Sequence, residues 1–186
     1  MTHLSITEWR PGHDLERHVE GLAEVLHAAV HDGASVGFVL PFSLDDARAF
    51  WRGRVAPAMD AGLRRVWAAR MDDRIVGTVQ LNLDTMPNQR HRAEVAKLLV
   101  HPDARRKGIA RRLIETAEEA ARAEGRTLLT LDTRTGDSAE PLYRSMGYEV
   151  AGVIPRYARA PKSHDLDATT LMYKVIAMAP DVSARR

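Results

Sequence analysis

The stretch that decides the fold is Lys97-Leu-Leu-Val-His-Pro-Asp-Ala-Arg-Arg-Lys-Gly-Ile-Ala-Arg-Arg-Leu-Ile114. Its apolar start predicts a buried strand that ends at Val100, because Pro102 interrupts the pattern. A helix should begin just after Gly108, with an apolar face that starts at Ile109. The segment therefore predicts a strand, a loop and a helix in immediate succession.

The loop between this strand and this helix is basic and contains Arg105, Arg106 and Lys107. Backbone N–H groups at a helix N-terminus can wrap an anion where no side chain obstructs them, and Gly108 and Ala110 are small. Ordinary helices favour acidic residues in the first turn, so cations there indicate a bound polyanion. A solvated basic helix start is the alternative, because this pattern alone is weak. The loop is thus a candidate phosphate site.

Length and composition favour one folded domain. The chain has 186 residues, 45% hydrophobic and 28% charged, the profile of a globular protein that can bury a core. We expect a single domain over residues 1–176 and a flexible C-terminal tail over residues 177–186. No apolar run approaches the roughly 20 residues of a membrane span, and the N-terminus lacks a signal-peptide layout. A cytoplasmic protein with no membrane partner is expected.

Cysteine and charge exclude other classes of function. The chain contains no cysteine, which excludes disulfides, thiolate metal sites and a cysteine nucleophile. Any acyl transfer would therefore proceed by direct attack of the acceptor or use another residue. The net charge is +2 and the cations outside the basic loop are dispersed, which argues against a nucleic-acid partner.

Hydrophobic periodicity and turn residues predict alternating strands and helices along the chain. Pro57 should kink or end the second helix, and Ser138 should cap a short late helix. The predicted elements are a strand over residues 3–9, helices over 15–30 and from Ser43, a hairpin of 65–71 and 75–83, strands over 92–100 and 127–133, and closing strands over 148–155 and 168–175. This order predicts one α/β domain with a mixed sheet.

Two acidic residues lie on predicted strands. Strict alternation places Glu94 on one side of its strand, and Lys97 on the other side with Val95 and Leu99. Because its neighbours are apolar, Glu94 should be partly desolvated. Asp132 lies near the C-terminal end of its strand, where ligand sites of open α/β sheets collect. Structural ion pairs with Lys97 or Arg92 are the alternative role for these acids.

Two histidines one helical turn apart, His27 and His31, raise the question of a metal site. A third ligand is not evident near them in the sequence, so partly exposed structural histidines are the favoured interpretation. We therefore expect no metal.

Two motifs, in order along the chain, resemble a known family. Val100-His-Pro-Asp-Ala-Arg-Arg-Lys-Gly-Ile-Ala110 resembles the acetyl-coenzyme A signature of the GCN5-related N-acetyltransferase (GNAT) superfamily. Ser138-Ala-Glu-Pro-Leu-Tyr-Arg-Ser-Met-Gly-Tyr148 resembles the segment that closes the cofactor site there. Three further segments look like the tabtoxin resistance protein and its relatives, over roughly residues 15–175; they are 31–38, 92–98 and 131–133.

The resemblance implies a fold and a cosubstrate. The fold would be α/β (α+β), a mixed and mostly antiparallel central sheet with helices on both faces and a splayed cofactor cleft. Acetyl-CoA would lie where the strands 94–100 and 127–133 separate, with its pyrophosphate on the backbone of the basic loop. Many family members have an asparagine where this chain has Gly136, which removes one cofactor contact. The implied cofactor-binding residues are Leu98, Leu99, Val100, Arg105, Arg106, Lys107, Gly108, Ile109, Ala110, Arg111, Ser138 and Tyr143.

The resemblance also implies a reaction. Tyr143 would face the thioester sulfur and act as general acid, although an aromatic ring packed on the sheet is the alternative. An acceptor amine must lose a proton before it attacks, so Glu94 is the first candidate for general base, and Asp132 would orient the amine or relay its proton. His31 and His91 are next in line as bases.

The acceptor implied by the resemblance is a primary amine of a small molecule, amino-acid-like or an antibiotic or toxin. The alternatives are a peptide or protein N-terminus or lysine, and a non-catalytic acyl-CoA-binding sensor. The acceptor-facing segments would be the loops 31–42, 84–91 and 155–167. The relatives suggest a homodimer.

Overall fold

The computed structural model describes residues 3–10 and 15–177, which form one seven-stranded sheet with helices on both faces. The strand order is β1-β2-β3-β4-β5-β7-β6, and among the described strands every neighbouring pair is antiparallel except β4 with β5. The strands are β1 Leu4–Trp9, β2 Arg64–Met71, β3 Arg74–Asn82, β4 Arg92–Val100, β5 Leu128–Arg134, β6 Glu149–Arg159 and β7 Leu166–Val175. The α-helices are α1 Leu15–Asp32, α2 Leu44–Phe50, α3 Ala56–Asp60, α4 Ile109–Ala123 and α5 Ala139–Ser145. The predicted mixed, mostly antiparallel sheet is confirmed.

Each face of the sheet carries its own hydrophobic core. On one face, α4 buries an apolar stripe that includes Ile109 and Leu113. Burying a leucine side chain in this way contributes about 1.5–3 kcal/mol. At Gly77 the approach of α4 is so close that a Cβ would lie 2.9 Å from the Leu99 carbonyl and 3.2 Å from Leu113 Cδ1. The α4 face of the sheet is thus sealed by tight packing.

On the other face, α1 and the helical segment 44–60 form the second core. The buried positions of α1 follow the helical period, with Leu22 and Leu26 fully buried beside Trp51. The second helix starts after Ser43, as predicted, and Ser43 caps it through a capping box with Asp46. These helices cover β1 to β4 and leave the β5 side of that face open.

Pro57 was predicted to kink or end the second helix, and the structure shows that the helical segment does not end there. Residues Trp51–Val55 form a π-helical turn, and the chain then continues as α3 to Asp60. Pro57 lies in the first turn of α3, where its missing N–H has no intrahelical acceptor to lose. The π-turn thus lets a helix restart at a proline.

Strict alternation along β4 is also wrong. Lys97 has φ +49°, and the register with β3 shifts between Thr78 and Gln80, which marks a β-bulge. Val95 packs in the α4-side core, whereas Leu99 packs in the core beneath α1 and α2. The bulge therefore reverses which face each side chain takes after residue 96.

The predicted 155–167 loop is shorter than expected. β6 continues to Arg159 and β7 begins at Leu166, so only residues 160–165 connect the two strands. A register shift between Ile154 and Ala158, with Arg156 at φ +56°, accommodates Pro155 within this edge strand. The predicted C-terminal tail, from residue 178 onward, lies outside the described residues.

The β4–β5 junction creates the opening that positions the site. The two strands share three register pairs, Arg92 with Leu128, Ala93 with Leu129, and Glu94 with Thr130. Beyond these pairs each strand continues without the other as a partner. Of the helices in the described residues, none combines the length and hydropathy that a bilayer span needs.

Candidate active site

A cleft of about 740 Å³ lies where β4 and β5 separate. It is lined by both diverging strands, by the basic loop with the first turn of α4, by α5, and by the segment 32–37 after α1. Because the cleft passes between two strands of the sheet, groups from both faces reach it. The predicted splayed cleft is present.

The basic loop presents free amides to this cleft. Arg106 and Gly108 both have left-handed backbone, with φ +66° and +76°, and α4 begins at Ile109. Arg112 N–H donates to the Gly108 carbonyl in the first helical turn, so the amides at the start of α4 precede any intrahelical acceptor. A Cβ on Gly108 would meet no atom within 4 Å. Loops with left-handed residues before a helix N-terminus form concave anion sites, which suits a pyrophosphate.

Two arginines of this region are already engaged within the protein. Arg105 Nη1 lies 2.6 Å from Asp32 Oδ2 at the end of α1, and its Nε lies 3.4 Å from the Val100 carbonyl. Arg111 Nη2 donates to Ser145 Oγ over 2.8 Å. Arg105 therefore ties the basic loop to α1, whereas Arg106 and Lys107 are exposed.

Ser138 does not cap α5 with its side chain, contrary to the sequence prediction. The residue has helical backbone at the N-cap position, and its hydroxyl and amide both donate to Asp137 Oδ1. The Gly136 amide instead donates to Glu140 Oε2 over 3.2 Å. Ser138 still lines the cleft.

Tyr143 reaches the cleft from the α4 side of the sheet. Its ring is 6% exposed and packs edge-on against Tyr148, with centroids 5.6 Å apart. Burial, together with the negative charges of Asp132 and Asp137, raises the pKa of the Tyr143 hydroxyl. The phenol therefore holds its proton at neutral pH.

Glu94 reaches the cleft from the opposite face. Its neighbours Ala93 and Val95 pack in the α4-side core, so Glu94 projects toward the α1 side. The expected desolvation is wrong, because the residue is exposed. Glu94 Oε2 accepts a hydrogen bond of 2.8 Å from Asn82 Nδ2, its register partner on β3. The carboxylate is thus oriented by an amide.

Asp132 projects from β5 on the same side as Glu94. Its neighbour Leu131 packs in the α4-side core, and Asp132 itself is exposed at the cleft. Its Oδ2 lies 3.2 Å from the Thr169 hydroxyl, which is also 3.0 Å from the Thr133 carbonyl. In the described part of the chain, neither Glu94 nor Asp132 forms an ion pair. The two strands that separate therefore each supply one unpaired acid.

Lys97 is a further cation that lines the cleft, and the sequence prediction gave it only a structural role. Its ammonium lies 6.0 Å from the Phe50 ring centroid and 3.9 Å from the position that a Cβ on Gly37 would occupy. Burial lowers the pKa of Lys97, while the charges of Asp132 and Glu94 oppose that change. The bulge at residue 97 explains this placement, and alternation in the sequence does not signal it.

The outer wall of the cleft is held by backbone contacts. Arg134 Nη1 donates to the Gly33 carbonyl over 3.2 Å, and the Leu40 amide donates to the Pro161 carbonyl over 2.9 Å. The segment 31–42 is therefore fastened both to the end of β5 and to the β6–β7 connection. Tyr157 of β6 adds an exposed ring to this wall.

The two α1 histidines pack against each other, with ring centroids 4.1 Å apart. His31 Nε2 donates to the Phe42 carbonyl over 2.8 Å, which fastens the segment after α1. The pKa of His27 is lowered by burial and by the neighbouring His31. Among residues 3–10 and 15–177, no group of three or more His, Asp or Glu residues could hold a metal ion. His31 and His91 do not line the cleft.

Asn82 is a site residue that sequence reasoning did not identify. It ends β3, and register alone places it opposite Glu94. A polar residue at the end of an apolar strand was the available signal, but its partner depended on the β3–β4 pairing. Thr169 was likewise hidden, because β7 was expected to contribute only to the sheet.

Comparison with known proteins agrees with this geometry. The model of the acetyltransferase (GNAT) domain matches residues 62–150. An uncharacterized N-acetyltransferase of Azospirillum brasilense is 34% identical over 123 residues, which cover 64% of this chain and 70% of that protein. Human N-acetyltransferase 8 is 36% identical over 88 residues, 46% of this chain and 39% of that protein. The chain thus spans well under half the length of the human relative.

A solved structure extends the likeness to the whole fold. A putative acetyltransferase of Salmonella typhimurium, solved with its cofactor acetyl-CoA, superposes with a TM-score of 0.74 at 19% identity, over 97% of this chain and 99% of that one. The free amides before α4 and the cleft between β4 and β5 suit acetyl-CoA as cosubstrate. The chain belongs to the GNAT family of acetyl-CoA-dependent N-acetyltransferases.

Proposed function

We propose that this chain transfers the acetyl group of acetyl-CoA to a primary amine of a small molecule, amino-acid-like or an antibiotic or toxin, by direct attack. One observation carries the proposal. Glu94 and Asp132 project from the two strands that separate and face one side of the cleft, while Tyr143 reaches it from the other side. A proton acceptor and a proton donor are thus available on opposite sides of one site.

The residues divide the proton transfers between them. Acetyl-CoA, when bound, supplies the thioester and the sulfur leaving group. Glu94, held by Asn82, accepts a proton from the amine directly or through water, and Asp132 orients the amine or relays its proton. A nitrogen–carbon bond forms and the carbon–sulfur bond breaks, while Tyr143 Oη gives its proton to the sulfur. Solvent then returns a proton to Tyr143 and takes one from Glu94, which restores the enzyme.

The backbone of residues 105–110 would hold the pyrophosphate, and the unpaired edge of β4 at residues 98–100 would bind the pantetheine. The side chains of Arg106 and Lys107, which are exposed beside the loop, supply further positive charge. Ser138 and Arg111 border the same end of the cleft. These residue roles, the likeness to the tabtoxin resistance protein, the cytoplasmic location and the homodimer stay predictions.

Release of the free CoA thiol, measured with a panel of amines, tests the function. We expect acetyl-CoA-dependent release with small primary amines, and loss of that release in a Glu94→Gln, Asp132→Asn double variant that still binds acetyl-CoA. Faster release with peptides than with every small amine would favour a peptide acceptor. Binding of acetyl-CoA without release for any amine would identify a sensor instead.

A further inference from the structure

The cleft contains a cation, Lys97, that takes no part in the proposed proton transfers. Lys97 is half-buried in the cleft, yet among the described residues no carboxylate is close enough to pair with it and no hydrogen bond engages its ammonium. Its one direct partner is the Phe50 ring, 6.0 Å away. A buried cation without an anionic partner is costly, so its retention points to a ligand.

The backbone conformation of Lys97 is also energetically unfavourable. A left-handed conformation is unfavourable by about 1–2 kcal/mol for a residue with a Cβ, and Lys97 adopts it at φ +49°. The bulge turns this side chain to the face on which Glu94 and Asp132 project. Strain of this kind persists where the surrounding structure imposes it, and it clusters at ligand sites. The bulge therefore delivers the ammonium to the acceptor side of the cleft.

Charges of both signs surround Lys97 in this region, and Asp84 also acts on Arg64. Two carboxylates, Asp132 and Glu94, act on Lys97, and so do two further cations, Arg64 and Arg54. Arg64 is half-buried at the start of β2, and its Nε has no protein partner in the described part of the chain. Glu94 and Asp132 can attract an ammonium group, and Lys97 can attract an anionic group on the same molecule, so the cleft suits an amine that also carries a negative charge.

We propose that Lys97 is the receptor for a carboxylate on the acceptor, so that the enzyme acetylates the amino group of an amino acid or a closely similar amino-carboxylate. This inference rests on the proposed function. The acceptor's amino group would lie between Glu94 and Asp132, and its carboxylate would accept hydrogen bonds from Lys97 Nζ. The charges of Arg64 and Arg54 also act on Lys97, together with those of Asp132 and Glu94. Lys97 thus determines specificity and takes no part in the proton transfers.

Acceptors that differ only in their carboxylate group test whether Lys97 binds that group. For each amino acid that releases CoA thiol with the wild-type enzyme, its carboxamide and its decarboxylated amine offer an amine without the negative charge. We expect kcat/KM to be about 10–100-fold higher for the amino acid than for either uncharged counterpart, the range for a charge-assisted hydrogen bond out of water. Wild-type rates that are equal for all three would overturn the proposal.

Substitutions of Lys97 test whether this residue causes the preference for an acceptor with a carboxylate. Lys97→Met should raise KM for the amino acid about 10–100-fold with little change in kcat, and leave the rates with the amide and the amine unchanged. Lys97→Arg should recover part of the preference, because it restores the charge. Lys162→Met is the matched control, since it removes an exposed lysine beside Gly33 at the same wall of the cleft. A collapse of kcat for all three acceptors in Lys97→Met would make Lys97 a proton acceptor and overturn the proposal.

A binding measurement keeps this test independent of turnover. Calorimetric titration of an N-acetylated amino acid into the CoA-loaded protein should give an affinity that falls about 10–100-fold in Lys97→Met and is unchanged in Lys162→Met. If no amine releases CoA from the wild type, the proposed function fails while this titration still tests the anion site. If CoA is released but the N-acetylated amino acid binds both Lys97→Met and wild type equally, the carboxylate receptor is refuted and the acetyltransferase activity stands.

Discussion

Lys97 and Lys174 each place an ammonium group over an aromatic ring, on opposite faces of the same sheet. Lys174 Nζ lies 5.5 Å from the Tyr148 centroid and contacts both oxygens of Glu118, at 2.7 and 2.8 Å. Lys97 has the ring of Phe50 but no such carboxylate. On the α4 face, Glu118 neutralises the charge of Lys174. In the cleft, the charge of Lys97 stays available to a ligand. A buried charge thus marks a site only when the chain does not pair it.

The largest expected effect concerns the unpaired acids of the cleft. Glu94→Gln keeps the oxygen that accepts from Asn82 but cannot take a proton from the amine, so kcat/KM for the amine should fall by about 10³-fold. The acetyl-CoA affinity should not change. Glu149→Gln, at the far edge strand, is the control. Full activity of Glu94→Gln would return Glu94 to a structural role.

The next effect compares two tyrosines of one aromatic pair. Tyr143→Phe retains the ring that packs against Tyr148 and removes only the hydroxyl, so kcat should fall about 10²-fold with KM for acetyl-CoA little changed. Tyr148→Phe, which removes the hydroxyl on the core side, should leave kcat within about threefold. Equal effects of the two substitutions on kcat would assign both rings to packing.

The two lysines themselves should respond to substitution with opposite signs. Lys174→Met leaves the buried Glu118 with Arg122 alone and should lower the free energy of unfolding by about 2–3 kcal/mol. Lys97→Met removes an unpaired buried ammonium and should raise the free energy of unfolding by about 1 kcal/mol, or the Tm by about 2–4 °C. Urea unfolding of both variants measures the contrast.

The pH dependence of that stabilisation has a defined sign. Burial holds the pKa of folded Lys97 below its ordinary value of 10.5, so the charged form opposes folding at neutral pH. This cost is relieved as the pH rises through the folded pKa. The stability gain of Lys97→Met should therefore shrink in alkaline solution, and a gain that grows with pH would contradict the assignment.

The smallest expected effect uses two glycines at opposite ends of α4. Gly108 and Gly125 have left-handed φ of +76° and +71°, and a Cβ on either would meet no protein atom within 4 Å. Alanine at either position should therefore strain the fold by a similar amount, about 1–2 kcal/mol. Only Gly108→Ala lies where a pyrophosphate would approach the amides, so only it should raise the Kd for acetyl-CoA, about 10-fold. Calorimetry with equal affinities for the two variants would remove the phosphate assignment.

The sequence predicted those features that local chemistry determines. The helix start at Ser43, the helix start after Gly108 and the apolar stripe of α4 each depend on a few neighbouring residues, and each prediction is confirmed. The mixed sheet followed from the order of the elements and from the family resemblance. The cleft between β4 and β5 came from the resemblance alone, because no local pattern records where two distant strands separate.

What the sequence did not predict depends on pairing between strands. The bulge at Lys97 interrupts an apolar run that reads as continuous, and only the β3 register reveals it. Asn82 meets Glu94 for the same reason. The π-turn before Pro57 is a further feature that the sequence did not predict. The bulge also decides that Lys97 lies on the same face as Glu94 and Asp132, so the sequence alone does not show which charges share the cleft.

The short seam between β4 and β5 also bears on how the molecule opens. The strands β4 and β5 share only three register pairs, whereas each neighbouring pair among β1 to β4 shares at least five. Local opening should therefore concentrate at this seam, and amide hydrogens along it should exchange with deuterium earliest within the sheet. A ligand bound there links the two halves of the sheet directly. Slower exchange at residues 92–94 and 128–130 would then report occupancy of the cleft without any turnover.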